Sequence, residues 1–381
     1  MPQSTHLQTI PVGPLGLIVM DSCSSLGKKV NDYLVTWRRE RENEHKTTIQ
    51  FNGYQRDSYL INAKAPRFGS GEAKGVINES VRGDDLYIMV DVCNYSLTYS
   101  LSGYVNHMSP DDHFQDLKRI IAAVGGKARR INVIMPFLYE SRQHKRTARE
   151  SLDCAMALQE LTRMGVENIL TFDAHDPRVQ NAIPLKGFEN VPCIYQFMKA
   201  LLRTEPNLDL DSDHMMIISP DEGGMGRAVT FANYLGLDVG MFYKRRDYTR
   251  IVDGKNPIVA HEFLGSNVEG KNVLIVDDMI SSGDSMMDVA RELKRRKAAK
   301  VFIASTFGLF TNQGIIDRVL TTNLVYQTPE LLSRPYYVNV DLSKYIALLI
   351  DNLNHNSSLQ DLLIPTDRIN RLLERYKNRE K

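Results

Sequence analysis

Six short apolar runs, each continuous rather than alternating with polar residues, constrain what this chain can fold into. A strand covered by helices on both faces is apolar on both faces, whereas a strand with one face in water alternates. Helical patterns at 148–164, 226–234 and 285–296 lie between the runs. Strands that alternate with helices predict an α/β fold built on parallel sheets. The predicted strands are 87–90, 131–135, 168–172, 215–218, 273–276 and 301–305.

Charge and cysteine content limit the possible partners. The 381 residues carry a net charge of +1, which gives the chain no general attraction for nucleic acid or a membrane surface. The length predicts two domains. The four cysteines are too sparse for a disulfide framework or a metal clip, so we expect reduced thiols. No signal peptide and no run near the roughly 18 apolar residues of a membrane span is present. We therefore expect a cytoplasmic protein.

Three segments outside these patterns also give expectations. The mixed-charge run 37–46 predicts a solvated helix face. The polar stretch 94–112, which contains Gly103 and Pro110, predicts a loop. The basic tail 367–381 has only a weak apolar stripe, which favours a surface helix over a binding arm.

The segment 273–285 carries the strongest indication of function. An apolar strand ends in two adjacent aspartates, then a Ser/Gly loop leads into a helix. Ligands of open α/β sheets bind beyond the carboxyl ends of strands, and such a loop can offer N–H groups to a phosphate. A capped surface turn is the alternative, but two adjacent carboxylates after a buried strand are costly without a ligand. The candidate residues are Asp277, Asp278, Ser281, Ser282, Gly283, Asp284 and Ser285.

Two further strand ends carry polar residues. Asp221, Glu222, Gly223 and Gly224 follow the strand 215–218 and open a helix. Glycines allow the backbone to approach an anion closely, although a plain strand–turn–helix junction would also use them. His175 follows the strand 168–172 beside acidic residues. A lone histidine is more often structural, but its place at a strand end favours a functional role.

These segments resemble, in order, the motifs of the ribose-phosphate pyrophosphokinase (phosphoribosyl pyrophosphate synthetase) family, a branch of the type I phosphoribosyltransferase superfamily. Segment 277–285 is similar to the phosphoribosyl-pyrophosphate loop, and 219–224 is similar to Ser-Pro-Asp-x-Gly-Gly. Segment 173–180 resembles Asp-Leu-His-x-x-x-x-Gln. Further resemblances lie at 68–72 and 79–83 and at the Lys-x-Arg loop 244–246. Segment 139–143 resembles Tyr-x-Arg-Gln-Asp, with one extra residue between Tyr139 and Arg142.

The resemblance implies a fold and an activity. The fold is α/β with two tandem phosphoribosyltransferase-like domains, 14–190 and 191–344, each a mainly parallel sheet flanked by helices. A helical tail, 345–381, would pack partly on the first domain. The activity is transfer of the diphosphate of ATP to the C1 hydroxyl of ribose 5-phosphate. It implies Mg²⁺ as cofactor and a dimer-based homo-oligomer, up to a hexamer, without nucleic-acid or membrane partners.

The resemblance also implies a role for each matching residue. Lys244 and Arg246 would be catalytic, and His175 and Asp221 would contact the metal. Asp221 would also join the ribose 5-phosphate residues of 277–285, and 221–224 would form the diphosphate loop. The residues implied for ATP are Phe68, Ser70, Glu72, Arg142, Gln143 and His175.

Two alternatives remain, and several positions depart from the family pattern. A phosphoribosyltransferase would keep 277–285 but has no use for Arg142, Gln143 or His175. A non-catalytic regulatory paralogue would be expected to lose the Lys-x-Arg or metal residues, which are present. The departures are Ser281 and Ser282 for Asp-Thr, Asp284 and Ser285 for Gly-Thr, and His144 for an aspartate after Arg142-Gln143.

Overall fold

The computed structural model describes residues 10–43, 53–246, 258–280, 283–308 and 316–378. The chain divides into two compact units, each built from separate stretches of sequence. The first comprises Met1–Pro192, Asn323–Tyr326 and Asp341–Ile364, and the second comprises Cys193–Thr322, Gln327–Val340 and Pro365–Lys381.

Strands and helices alternate along most of the described chain. The strands are β1 (Leu15–Val19), β2 (Ala63–Lys64), β3 (Val76–Ile77), β4 (Asp85–Met89), β5 (Thr98–Leu101), β6 (Tyr104–His107), β7 (Arg130–Ile134), β8 (Val166–Phe172), β9 (Gly187–Val191), β10 (Met215–Ser219), β11 (Asp238–Arg246), β12 (Ile258–Leu264), β13 (Asn272–Ile280), β14 (Val301–Gly308), β15 (Arg318–Thr322) and β16 (Tyr337–Val340). The helices are α1 (Ser24–Asn43), α2 (Pro110–Val124), α3 (Asp153–Arg163), α4 (Ile194–Thr204), α5 (Met225–Leu235), α6 (Asp284–Arg295), α7 (Pro329–Leu332), α8 (Ser343–Asn354), α9 (Gln360–Leu363) and α10 (Thr366–Lys377).

The first unit is built on a parallel sheet in the order β1-β4-β7-β8-β9. Its core lies where apolar side chains of α2 and α3 meet one face of this sheet. Leu117 of α2 and Leu158 of α3 are buried there with Ile88, Val133 and Ile169 of the strands. The strands are apolar because both faces are covered, which is what the continuous runs predict.

The second unit is built on a sheet in the order β12-β11-β10-β13-β14-β15-β16. Every pairing is parallel except that of β11 with β12. The α/β prediction is confirmed, and all six predicted strands are present as β4, β7, β8, β10, β13 and β14. The apolar pattern did not predict β1, β9, β15 or β16. Helix α3 begins five residues later than the predicted 148–164, because Gln143 and Thr147 hydrogen-bond to residues 150–151 in a loop.

The prediction of a loop at 94–112 is wrong. The segment forms the antiparallel hairpin β5–β6 and then enters α2. Ser102 and Gly103 form a two-residue turn with positive φ angles of 50° and 86°, the combination that matches the twist of a hairpin. Ser109 and Asp112 then form a reciprocal capping box at the start of α2.

The predicted surface helix at the C-terminal tail is confirmed as α10. Ile369 and Tyr376 are its buried residues, and the Tyr376 hydroxyl donates a hydrogen bond to the Pro206 carbonyl oxygen at 2.7 Å. None of the helices in the described ranges is long and apolar enough to cross a membrane.

The predicted solvated face at 37–46 is wrong for Arg38, which is fully buried in α1. Its guanidinium donates to Asn354 Oδ1 at 2.6 Å and lies 3.4 Å from Asp351 Oδ1, both on α8. Asn354 in turn donates to Asp85 Oδ2 at 2.9 Å, and Arg130 donates to Asp85 Oδ1 at 2.7 Å. These five residues, the buried charge cluster, join α1, β4, β7 and α8 because each buried charge requires a partner.

Neighbouring arginines on α1 provide a test of this cluster. Arg38→Ala leaves Asn354 Oδ1 buried without its donor and removes one of the two arginines that contact Asp351, which keeps Arg41. We therefore expect a loss of about 2–3 kcal/mol in the free energy of unfolding. Among the described residues, the charged partner of Arg39 is the exposed Asp57. Arg39→Ala is the matched control and should change that free energy by less than about 1 kcal/mol. Urea unfolding measures both, and equal effects would contradict the role of the cluster.

Candidate active site

The strand order of the second sheet indicates where a ligand would bind. The chain leaves β10 towards β11 and β12 on one side, then returns to the other side of β10 through β13 to β16. β10 and β13 are therefore neighbours at the point where the strand order reverses. Ligands of open α/β sheets bind beyond the carboxyl ends of strands at such a point. The predicted residues 221–224 and 277–278 follow or end these two strands.

The turn after β10 is closely packed against its own strand. Buried Ser219 donates from Oγ to the Asp221 carbonyl oxygen at 2.7 Å, and the Gly224 N–H donates to Asp221 Oδ1 at 3.1 Å. A Cβ added to Gly224 would lie 2.9 Å from Ser219 Oγ and 3.3 Å from Pro220 Cδ. The turn therefore has room for no side chain at Gly224, while Asp221, Glu222 and Gly223 are exposed at the N-terminus of α5.

The acidic pair at the end of β13 is largely buried. The side chains of Asp277 and Asp278 are 18% and 10% exposed, and Arg227 Nη1 lies 3.6 Å and 3.4 Å from their Oδ1 atoms. The Asp278 N–H donates to Asp277 Oδ1 at 2.8 Å. Burial, then the adjacent Asp278 charge, raises the pKa of Asp277 above its usual range, and Arg227 only partly offsets this. The pair is thus suited to accept hydrogen bonds from hydroxyl donors.

Arg227 was not assigned a role from the sequence. It lies in the first turn of α5, which starts directly after the Gly223-Gly224 turn. An arginine at that position can reach the carboxylates of the neighbouring strand. The sequence shows that Arg227 follows the glycine turn. It does not show that β10 pairs with β13, and this pairing is what brings Arg227 close to Asp277 and Asp278.

The predicted phosphate loop is described only in part. Ser281 and Ser282 lie outside the described residues. Gly283 precedes α6 with a φ of 87°, a left-handed conformation that favours glycine. The backbones of Asp284 and Ser285 form the first turn of α6, so the loop leads directly into a helix N-terminus, as predicted.

The Lys-x-Arg segment lies in a strand. The backbones of Lys244 and Arg246 are part of β11, opposite His261 and Ile258 of the antiparallel β12. The residues that connect these strands, 247–257, lie outside the described part. The segment that resembles a catalytic loop therefore begins as one arm of a β-hairpin.

The strand ends of the first unit bring together two histidines. The ring centroids of His144 and His175 are 5.3 Å apart, and His144 Nε2 lies 3.4 Å from Asp176 Oδ2. Arg178 donates to Asp176 from its side chain and its backbone N–H, and these hydrogen bonds lower the pKa of Asp176 to about 2. His175 is exposed, whereas His144 is largely buried. From the sequence, His144 is only a departure from the family pattern, because its proximity to His175 depends on the fold.

The remaining nucleotide candidates lie on two loops of the first unit. Gln143 donates from Nε2 to the Ser151 carbonyl oxygen at 2.7 Å, next to exposed Arg142. Phe68 is 54% exposed on a tight turn closed by its N–H bond to the Glu72 carbonyl oxygen at 2.7 Å. Ser70 Oγ donates to Glu72 Oε2 at 2.9 Å. The exposed Phe68 ring is available to pack on another molecule.

The described residues do not form a complete protein metal site. Within them, no group of three or more His, Cys, Asp or Glu side chains is placed to hold a metal ion. Magnesium normally keeps several waters and takes substrate phosphate oxygens with only one or two protein ligands. His175 in the first unit and Asp221 in the second unit each remain a candidate for one such ligand.

Comparison with known proteins finds two domains in the order that the sequence predicts. The N-terminal domain of ribose phosphate pyrophosphokinase matches residues 15–165, and the phosphoribosyl transferase domain matches residues 197–318. A ribose-phosphate pyrophosphokinase of Vibrio cholerae is 28% identical over 313 residues, 79% of this chain and 90% of that protein. One of Chlorobaculum tepidum is 27% identical over 72% of this chain and 79% of that protein.

A solved structure shows the same fold. The crystal structure of phosphoribosylpyrophosphate synthetase from Mycobacterium smegmatis superposes with a TM-score of 0.70 at 20% identity. The superposition covers 90% of this chain and 99% of that one. Both kinds of comparison agree that two phosphoribosyltransferase-type domains follow one another in the chain.

A pair of glycines tests the packing of the turn after β10. Gly224→Ala introduces a Cβ into contact with Ser219 and Pro220, so we expect a loss of about 1–3 kcal/mol in the free energy of unfolding. Gly226 lies in α5 with no atom within 4 Å of an added Cβ. Gly226→Ala should instead be neutral or stabilise by up to about 1 kcal/mol. Chemical denaturation measures both, and a neutral Gly224→Ala would show that the turn is not closely packed.

The acidic pair predicts a pH-dependent cost to stability. An aspartate whose pKa is raised in the folded state destabilises the fold as pH rises from its unfolded pKa, 3.8, through the raised value. Asp277→Asn keeps the acceptor for the Asp278 N–H but removes the charge. We expect its Tm at pH 8 to exceed that of the native protein by roughly 2–4 °C, with little difference near pH 4. Asp288→Asn, on the exposed face of α6, is the control and should show no such pH-dependent gain.

Proposed function

Because the chain belongs to the ribose-phosphate pyrophosphokinase family, we propose that it transfers the diphosphate of ATP to the C1 hydroxyl of ribose 5-phosphate. The products are phosphoribosyl pyrophosphate and AMP. The observation that carries the proposal is the buried acidic pair with Arg227, next to the glycine turn at the β10–β13 switch point. This arrangement offers acceptors for sugar hydroxyls beside N–H groups for phosphate.

In the second unit, the proposed roles follow from charge. Ribose 5-phosphate places its phosphate on 281–285, at the N-terminus of α6, where backbone N–H groups favour an anion. Its hydroxyls donate to the carboxylate oxygens of Asp277 and Asp278, which are well suited to accept from a sugar. The diphosphate lies along 221–224, where the exposed backbone of Gly223 permits close approach.

In the first unit, ATP binds across Arg142, Gln143 and His175. Its adenine packs near Phe68 and Glu72 of a neighbouring subunit, and the 54% exposure of Phe68 supports this role. The oligomer is proposed to be a homo-oligomer based on dimers. No two cysteines of the described residues form a disulfide and most are buried, which supports a cytoplasmic location for the protein.

The chemistry depends on positioning and charge neutralisation. The C1 hydroxyl attacks the β-phosphorus in line, the bond from that phosphorus to the oxygen shared with the α-phosphate breaks, and AMP leaves. Asp277 or Asp278 orients the hydroxyl, and Lys244 and Arg246 neutralise charge on the transferred group. His175 and Asp221 are the residues that would hold magnesium, which would supply further charge neutralisation.

The alternatives differ in what they require. A phosphoribosyltransferase needs no N-terminal pyrophosphokinase domain, yet that domain matches residues 15–165. A regulatory paralogue needs no Lys-x-Arg segment, yet Lys244 and Arg246 are present. Both alternatives predict no AMP from ATP and ribose 5-phosphate.

The decisive assay is AMP release by the purified protein with magnesium, ATP and ribose 5-phosphate. We expect AMP that depends on the sugar, with phosphoribosyl pyrophosphate as co-product. Lys244→Ala should lower kcat by roughly a hundredfold or more, since it removes charge neutralisation in the transition state. Lys199→Ala, exposed on α4, is the matched control and should leave kcat unchanged. Absence of sugar-dependent AMP with every divalent cation would contradict the proposed activity.

A further inference from the structure

His144 carries an atom that the proposed roles leave unexplained. Its side chain is 11% exposed, and its Nδ1 is buried without a hydrogen-bond partner among the described residues. Buried polar atoms are normally paired, so an exception at a candidate active site points to an absent ligand.

The surroundings of His144 determine which kind of ligand Nδ1 can take. Its other nitrogen, Nε2, lies 3.4 Å from the carboxylate of Asp176, which Arg178 fixes with hydrogen bonds of 2.9 Å from both Nε and the backbone N–H. A carboxylate beside Nε2 favours the tautomer with the proton on Nε2, which leaves a lone pair on Nδ1. A carboxylate behind one imidazole nitrogen is the usual support for a metal on the other.

A second imidazole lies at a suitable distance. The ring centroids of His144 and His175 are 5.3 Å apart. Two imidazoles that share one cation at bond lengths of about 2.1 Å place their ring centroids roughly 5 Å apart. This chain has His144 where the family pattern has an aspartate, so an imidazole stands at this position in place of a carboxylate.

We propose that His144 Nδ1 is a ligand, together with His175, of the divalent cation that accompanies the nucleotide. Imidazole suits Co²⁺ and Ni²⁺ better than Mg²⁺, which prefers oxygen. The two imidazoles therefore give this site a selectivity for such cations that a site with one imidazole would lack. The inference rests on the proposed function, which places the nucleotide at His175.

The test is cation binding in the presence of an ATP analogue with a methylene group between the α- and β-phosphorus. That analogue cannot be cleaved at the bond that the proposed reaction breaks, so binding is measured without turnover. Calorimetry gives the affinities for Co²⁺ and Mg²⁺. Proton NMR of the Co²⁺ complex counts the bound imidazoles, since each gives one shifted, exchangeable N–H resonance.

His144→Gln is the informative variant. A glutamine amide can still donate to Asp176 from the position of Nε2, but it has no acceptor at the position of Nδ1. We expect a loss of about tenfold in Co²⁺ affinity, a change of less than about twofold for Mg²⁺, and one shifted resonance fewer than in the native protein. Lys145→Ala, exposed on the same loop, is the matched control and should match the native protein in all three measurements.

Several results would overturn the inference. The first is a single shifted resonance in the native complex, and the second is two shifted resonances in His144→Gln. The third is an equal loss of Co²⁺ and Mg²⁺ affinity in His144→Gln, because an equal loss would indicate that His144 has a structural role. The first needs no variant, so misfolding of His144→Gln cannot hide it. Failure of the proposed function would appear separately, as absence of AMP with every cation while the analogue complex still forms.

Discussion

The packing of the first unit depends on the buried charge cluster. Arg38 and Asp351 lie at its centre. Arg38 lies near the N-terminus and Asp351 lies 313 residues later, yet both are almost inaccessible to solvent. Buried charges are tolerated only with well-placed partners, and here both partners of Arg38 in the cluster lie on a helix that is distant in sequence. A shift of α8 along α1 would break the contacts of Arg38 to Asp351 and Asn354 together. The cluster thus determines where α8, which comes near the end of the chain, packs against α1 and the parallel sheet of the first unit.

The sequence predicts the central strands because burial on both faces leaves a local pattern of continuous apolar residues. Prediction from the sequence fails where the structure of a segment depends on residues that are distant in the chain or leaves no apolar pattern. The residues of the hairpin β5–β6 are partly or fully exposed, so its strands contain no continuous apolar run that would predict them. Only Ser102-Gly103 indicates the turn. Arg38 looks like part of a solvated helix face because its partners are distant in sequence. Charge patterns alone do not reveal a partner on another element.

The same distinction applies to the candidate site. The positions of Asp277 and His175 near the ends of apolar strands are predictable, because the carboxyl ends of parallel strands lie at one edge of a sheet. The contacts of Arg227 and His144 are not, because each is made with a neighbour on a different strand or loop. The roles of all four residues stay predictions. Lys244 and Arg246 rest on resemblance alone, and their roles stay predictions until turnover is measured.

Two carboxylates of the candidate site, Asp176 and Asp277, have pKa values shifted in opposite directions. Asp176 is held ionised by Arg178, with its pKa lowered to about 2, so it remains a fixed negative charge behind His144. Asp277 is buried against Asp278, which raises its pKa and disfavours its charge. A fixed charge orients a neighbouring group, whereas a disfavoured charge gains most from donors that a ligand brings. The first arrangement suits positioning of an imidazole, and the second suits binding of sugar hydroxyls at some cost to stability.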